Sequence, residues 1–151
     1  MSEVQPIRVQ EAPFDAGAEL NAFTQSVDGA GAIVSFFGIT RDVSQGNLSS
    51  MEIEHNPGMT EKALGAIREE AMTRIALPGA MILHRHGRLG PGDPIMMVAT
   101  AARHRADAFA AAEFLMDYLK SRAPFWKKEV TGDGATWVSA RDEDEDALSR
   151  W

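Results

Sequence analysis

The sequence contains no cysteine. This absence excludes disulfides, thiolate metal sites and thiolate nucleophiles, so any sulfur chemistry must use sulfur supplied from outside the chain. No apolar run approaches the roughly 20 residues that a membrane-spanning helix needs. The opening residues, 1–5, lack the basic start and apolar segment of a signal peptide. Together these absences predict a cytoplasmic protein.

The composition is that of a globular protein rather than a nucleic-acid-binding one. The 151 residues include 44% hydrophobic and 25% charged residues and carry a formal net charge of −7, which opposes general binding to phosphate backbones. The length fits one domain. We expect that domain over residues 1–141, followed over residues 142–151 by an acidic tail for which we expect solvation and mobility.

Positive charge is concentrated in one region of this acidic chain. Residues 103–128 hold six Lys/Arg and three Asp/Glu, a formal +3, which leaves −10 for the remainder. A surface that binds polyanions in general carries positive charge over a wide area. Here the rest of the protein is acidic and the cations are confined to one region. It predicts a pocket for an anionic ligand.

The hydrophobic pattern alternates between the periods of strands and helices. Long apolar stripes at spacings of three and four predict helices, and short alternating or continuous apolar runs predict strands. We predict helices over residues 15–27, 60–75 and 106–122, and strands near 7–9, 32–37, 51–55, 80–88, 94–101, 125–131 and 135–138. This order predicts an α+β domain whose helices cover one face of a largely antiparallel sheet.

Lysines at the end of the last long helix and in the strand after it are candidate catalytic groups. Lys120 lies in the last helical turn, and the X-Pro restriction before Pro124 ends the helix there. Alternation along the strand places Lys127 and Lys128 on opposite sides. Ammonium groups that converge on a pocket depress one another's pKa and become able to transfer protons. The alternatives are a helix C-terminal lysine that complements the dipole and an edge strand protected by lysine.

Other basic residues stand where an anion could bind. His104 and Arg105 lie at the start of the second long helix, where free N–H groups favour a phosphate. Arg41 follows a buried strand, at the start of a loop. His84 and His86 alternate along one strand and could form a metal pair, but no third ligand has suitable spacing. We therefore expect structural histidines and no metal site.

Several motifs spread over residues 7–141 occur together in one known family. The chain resembles the large, catalytic subunits of molybdopterin synthases. The motifs that carry the resemblance are Phe36-x-Gly38-x-x-Arg41, Glu54-His55-x-Pro57-Gly58-Met59, His84-Arg85-x-Gly87-x-Leu89-x-Pro91-Gly92-Asp93, His104-Arg105 and Met116-Asp117-Tyr118-Leu119-Lys120-x-Arg122-Ala123-Pro124-Phe125-Trp126-Lys127.

The resemblance implies a sulfurtransferase with an α/β hammerhead-type fold. Such an enzyme installs the two dithiolene sulfurs of molybdopterin on cyclic pyranopterin monophosphate. The sulfur arrives as a thiocarboxylate on the C-terminal Gly-Gly of a small ubiquitin-like partner subunit. The resemblance also implies a central homodimer within a heterotetramer, and we expect no cofactor, no nucleic acid and no membrane partner. A supplied sulfur would explain the missing cysteine.

The resemblance also implies roles for particular residues. Lys120 and Lys127 correspond to the catalytic lysines, and Arg141 resembles a substrate-binding residue offered across the dimer interface. The remaining substrate-binding positions are Ile39, Thr40, Arg41, His104, Arg105, Lys128 and Glu129. Two departures bear on partner contacts: Asn56 replaces the aromatic residue often found before Pro57, and the loop after Arg41 is slightly shorter than usual.

Two other functions remain open at the level of sequence. One is a non-catalytic module that binds a ubiquitin-like C-terminal tail, which would copurify with its partner without consuming a pterin. The other is a phosphate-ester hydrolase built on the same basic pocket, which would release phosphate without any sulfur carrier.

Overall fold

A computed structural model describes residues 5–41, 48–132, 134–138 and 142–151. The described chain forms two four-stranded sheets and four helices. In chain order the elements are β1 (Ile7–Gln10), α1 (Ala16–Ser26), β2 (Ala32–Ile39), β3 (Leu48–His55), α2 (Met59–Arg74), β4 (Gly79–Arg85), β5 (Gly87–Leu89), β6 (Pro94–Ala102), α3 (Arg105–Arg122), β7 (Phe125–Thr131), β8 (Gly134–Val138) and α4 (Asp142–Leu148). The predicted α+β class is confirmed.

The first sheet, in the order β1-β4-β6-β2, is covered by helices on both faces. Ile82 of β4 belongs to the main core with α2 and α3, whereas its neighbours Met81 and Leu83 pack in a second cluster with Phe23 of α1. Successive side chains of a strand point to opposite faces, so β4, which is buried at every position, needs cover on both. This differs from the expectation that helices cover one face. All pairs except the parallel β1 and β4 are antiparallel.

The second sheet, in the order β5-β3-β7-β8, is antiparallel throughout. The expected strand over residues 80–88 is divided between the two sheets, because β4 ends at Arg85 and β5 begins at Gly87. Gly87 has a φ of 91°, and a Cβ there would lie 3.0 Å from Cγ of Glu11. Glycine permits this backbone conformation and close approach, so the chain can pass from one sheet to the other.

The link between α3 and β7 joins the two layers. The helix ends at Arg122, and Ala123 is extended with a ψ of 135°, as the residue before a proline is expected to be. The chain then enters β7 at Phe125 and returns through β8. The predicted helix end and the predicted hairpin are both confirmed.

Two glycines before β2 have structural roles. Gly29 has a φ of 76° and ends the turn after α1, while a Cβ on Gly31 would lie only 2.3 Å from the carbonyl oxygen of Arg103. The backbone immediately before β2 therefore approaches Arg103, just before α3, too closely for any side chain. Turn geometry and packing explain this Gly-x-Gly pair.

The C-terminal residues fold back onto α3. After α4, the indole Nε1 of Trp151 donates a hydrogen bond to Asp117 at 2.5 Å, and its ring meets that of Phe114 edge-on at 5.3 Å. Arg150 also pairs with Asp117 at 2.7 Å. The segment expected as a solvated tail thus contains a short helix with an anchored end, while the domain boundary at residue 141 stays a prediction. Within the described chain, no helix has the length and apolar character to cross a bilayer.

Candidate active site

A small cavity lies where α3, the first sheet and β7 meet. It has a volume of about 120 Å³. Its polar side chains come from Lys120, Lys127 and His84, and the rest of its wall is apolar or backbone. The full lining is Phe36, Gly38, Ile39, His84, Ile95, Met96, Met116, Leu119, Lys120 and Lys127.

The two lysines reach this cavity from separate elements. Lys120 projects from the last turn of α3, on the helix face that also carries Met116. The short link through Pro124 reverses the chain, and alternation along β7 then places Lys127 on the same side as Phe125. The juxtaposition therefore follows from where the helix ends and from the phase of the strand.

The environment lowers the pKa of Lys127. Burial is the largest cause, the positive charge of Lys120 adds to it, and Asp144 of α4 opposes it, so that the pKa falls to about 8. At pH 7 about one tenth of such amines are neutral, compared with fewer than about one in a thousand for an ordinary lysine. Lys127 can thus both donate and accept a proton near neutrality.

Lys128 points away from the cavity, as the alternation predicted. Its Nζ pairs with Glu52 at 3.3 Å and lies 5.3 Å from the centre of the Trp137 ring. Glu129 is on the same side of β7 as Lys127, two residues further along, but neither it nor Lys128 contributes to the cavity lining. Their expected role in substrate binding stays a prediction.

The residues after β2 form the rim of the cavity. Ile39 lines it and is 51% exposed, whereas Thr40 is buried. The backbone N–H of Thr40 donates to the carbonyl of Asp93 at 2.8 Å, and its carbonyl accepts from the N–H of Gly92 at 2.8 Å. The turn at residues 90–93 therefore fixes this rim. Arg41 is exposed and lies outside the cavity lining.

His104 and Arg105 do not join the two lysines within one chain. His104 is the N-cap of α3 and Arg105 its first residue, while Lys120 is in its last turn. At about 1.5 Å per residue, Arg105 and Lys120 are roughly 22 Å apart along the helix axis. A site that used all these residues would need a second copy of the chain. Arg141, the other residue expected to act across an interface, lies outside the described residues.

His84 lines the cavity, although its position in the sequence predicted only a structural histidine. Its ring stacks on Phe125 with centroids 3.7 Å apart and planes inclined by 15°. His86 instead lies against His55, with centroids 4.4 Å apart, so the two histidines do not form the metal pair considered above. No group of three potential metal ligands occurs in the described part of the chain. The only sequence signal for His84 was its place in a family motif.

Known proteins share both the sequence and the fold. The model of the family described as MoaE protein matches residues 9–122. The chain belongs to the MoaE family. It is 66% identical to the molybdopterin synthase catalytic subunit of Cereibacter sphaeroides, over 96% of this chain and 99% of that protein. The corresponding subunit of Pseudomonas aeruginosa is 54% identical, over 96% and 97% of the two chains.

Solved structures of MoaE proteins have the same architecture. The molybdopterin biosynthesis MoaE protein of Burkholderia ambifaria superposes with a TM-score of 0.82 at 52% identity, covering 98% of each chain. Molybdopterin synthase of Staphylococcus aureus gives a TM-score of 0.80 at 28% identity, covering 91% of this chain and 99% of that one. MoaE membership confirms the resemblance inferred from the motifs.

Proposed function

We propose that this chain is the catalytic subunit of a molybdopterin synthase. In this reaction sulfur passes from the C-terminal thiocarboxylate of a small ubiquitin-like subunit to cyclic pyranopterin monophosphate, forming the dithiolene. The observation that carries the proposal is the convergence of Lys120 and Lys127 on one cavity. Full-length relatives named as this subunit support it, and an external sulfur donor suits a chain without cysteine.

The charges of the cavity suit an anionic donor and an anionic acceptor. A thiocarboxylate and a cyclic phosphate are both negative, and the two ammonium groups attract them and stabilise the charge that develops during attack. Since Lys127 has a pKa of about 8, its amine can also take up a proton and return it. Holding both reactants beside the two lysines contributes further to the rate.

The shape of the cavity suits the tail of a carrier protein. At about 120 Å³ it is smaller than typical small-molecule sites of about 300 Å³ or more. A Gly-Gly tail has no side chains, so its backbone can enter such a space and present the thiocarboxylate to the lysines. Phe36 and Ile39, which line the cavity and are exposed, offer apolar contact to the body of the carrier.

A complete substrate site requires a homodimer in this proposal. Arg105 and His104 lie too far along α3 to reach the Lys120 of their own chain, so a second copy would supply them, together with Arg141. Two such sites, each with one carrier, give the heterotetramer expected from the resemblance. Arg41, Thr40, Lys128 and Glu129 keep their proposed roles around the substrate. A cytoplasmic location remains part of the proposal.

Reconstitution with defined components tests the function. The purified chain is mixed with thiocarboxylated carrier and cyclic pyranopterin monophosphate, and the dithiolene product is quantified. A carrier ending in an ordinary carboxylate is the matched control, and it should give no product. Carrier binding without consumption of the pterin would instead support the non-catalytic module. Phosphate release from the pterin without carrier would support the hydrolase.

A further inference from the structure

His84 is the cavity's one polar side chain, within the described residues, that the reaction as proposed leaves without a role. It lies near the end of β4 and is 5% exposed. A buried polar group costs free energy unless it is hydrogen-bonded or serves a ligand. The bonding of its two ring nitrogens therefore indicates what it can do.

The hydrogen bonds define the tautomer of His84. Its Nδ1 lies 2.7 Å from the carbonyl oxygen of Arg85. Because a carbonyl only accepts, Nδ1 carries the hydrogen and donates it, so Nε2 of the neutral ring bears a lone pair. Burial, followed by the charges of Lys127 and Lys120, lowers the pKa of His84 to about 3. The ring is neutral at physiological pH, and no donor to Nε2 is found in the described chain.

The ring is also held in place beside both amines. Stacking on Phe125 at 3.7 Å fixes its plane, and the bond to Arg85 fixes its rotation. Lys127 follows Phe125 by two residues on the same side of β7. The cavity thus combines an immobile acceptor with two amines, which can only donate while they are protonated.

We propose that Nε2 of His84 binds the water that releases the sulfur from its carrier. This inference rests on the proposed function. Attack by the thiocarboxylate sulfur on a carbon of the pterin side chain forms a C–S bond, and the C–O bond of that carbon breaks, its electron pair leaving on oxygen. The product is a thioester between the carrier's acyl carbon and the new C–S unit. The oxygen of water then bonds to the acyl carbon, the acyl C–S bond breaks, and its electron pair leaves on sulfur.

The protons of this step have defined destinations. One water hydrogen is donated to Nε2 of His84, which orients the oxygen without taking the proton. The other proton passes to the neutral amine of Lys127 and from there to the leaving sulfur. The carrier acid that remains ionises to a carboxylate, so the net reaction is thioester plus water to carboxylate, thiol and a proton. A second acceptor orients the water because Lys120, and Lys127 whenever it is protonated, would hold a water by its oxygen, the atom that must attack.

Two substitutions at His84 separate orientation of the water from support of the fold. His84→Asn retains a donor near the position of Nδ1 for the Arg85 carbonyl but has no atom near Nε2. His84→Gln places an amide oxygen near Nε2. His86→Asn is the matched control, since His86 belongs to the neighbouring histidine pair and does not line the cavity. Thermal unfolding is recorded for each variant.

The experiment follows one turnover of thiocarboxylated carrier and cyclic pyranopterin monophosphate by acid quench and intact-mass analysis. His84→Asn should form the carrier–pterin adduct at near wild-type rate and hydrolyse it about 10-fold more slowly or worse, the scale of one lost hydrogen bond. His84→Gln should recover part of that rate, and His86→Asn should match the wild type.

Two results would overturn the assignment. Hydrolysis of the adduct by His84→Asn at the wild-type rate would show that Nε2 does not bind the attacking water. Equal loss of adduct formation and hydrolysis, with no recovery in His84→Gln, would show that the ring is only structural. Failure of the wild-type protein to form adduct or product would refute the proposed function itself, which is a distinguishable outcome.

Discussion

Lys120 and Lys127 line one cavity although they belong to different layers of the fold, the first to a helix on the first sheet and the second to a strand of the second sheet. The ammonium of Lys120 therefore acts on Lys127 across the junction of the layers. The lowered pKa of Lys127 contains a direct contribution from Lys120.

Replacing Lys120 by Met should raise the pKa of Lys127 above about 8, because it removes a nearby positive charge while burial persists. The side-chain resonances of isotope-labelled lysine, followed by NMR as a function of pH, measure this change. Lys128→Met is the control, since Lys128 faces Glu52 on the other side of β7. An unchanged Lys127 titration in Lys120→Met would contradict the shared cavity.

Lys120→Ala should fold normally and lose most turnover with thiocarboxylated carrier. Lys120 is exposed at a helix end, so its truncation leaves no buried cavity. Loss of a group that stabilises charge and moves protons predicts a rate lower by about 10²-fold or more. Dithiolene formation measures the rate, and circular dichroism checks the fold. Lys62→Ala, at an exposed position on α2, should retain activity; near wild-type product formation by Lys120→Ala would refute the assignment.

Lys127→Met should stabilise the protein at pH 7, and the gain should shrink at higher pH. The folded pKa of about 8 lies below the ordinary value of about 10.4. Between these values the unfolded chain binds more protons, so the stability of the wild type rises with pH in this window. The variant lacks this rise. Urea unfolding of both proteins at pH 7 and pH 10 measures the free energy of unfolding. An equal difference in that free energy between variant and wild type at the two pH values would argue against the lowered pKa.

Variants at opposite ends of α3 should complement each other if the active site is shared between two copies. Lys120→Ala and Arg105→Ala would each inactivate every site of a homodimer. A mixed dimer would contain one site with both residues intact, because they are roughly 22 Å apart along one helix. Denaturation and joint refolding of equal amounts should restore about one quarter of the wild-type activity, the statistical yield of one intact site in half of the dimers. No recovery would place both residues in the site of one chain.

Gly31→Ala should destabilise the fold by about 2 kcal/mol or more, since its Cβ would lie 2.3 Å from the backbone oxygen of Arg103 and the strand must shift. Gly65→Ala is the matched control, because Gly65 is in α2 with open space around its Cβ. That substitution should stabilise by about 0.5–1 kcal/mol. Denaturant unfolding measures both, and a neutral Gly31→Ala would contradict the close approach.

Local features of the fold were predictable because they depend on neighbouring residues. Pro124 ends α3 whatever surrounds it, and strand alternation alone separates Lys127 from Lys128. The division into two sheets was not predictable in this way. The positive φ of Gly87 cannot be read from the sequence, where this residue looks like any other glycine. Its packing against Glu11 is what shows that the chain leaves one sheet here and does not continue as one strand.

In the candidate site, too, features set by neighbouring residues were predictable and features set by distant segments were not. The sequence placed Lys120 and Lys127 together because a helix end, a short link and a strand phase determine their positions. The partner of a buried histidine depends on distant segments, so nothing near His84 in the chain predicts its stacking on Phe125. Similarly, the length of α3 sets the distance between Arg105 and Lys120 of one chain. The distance between Arg105 of one copy and Lys120 of another depends on how the copies assemble.

Because residues 123–124 connect α3 to β7, the distance between the amines of Lys120 and Lys127 depends on the angle between the two sheets. The amine of Lys120 moves with α3 and that of Lys127 with β7. The stacking of His84 on Phe125 holds the two layers together beside these amines. A substitution distant from the cavity that tilts one layer would therefore change the distance between the nitrogens without altering either lysine. Substitutions at the contact between His84 and Phe125 are therefore expected to change the catalytic rate even though both lysines are kept.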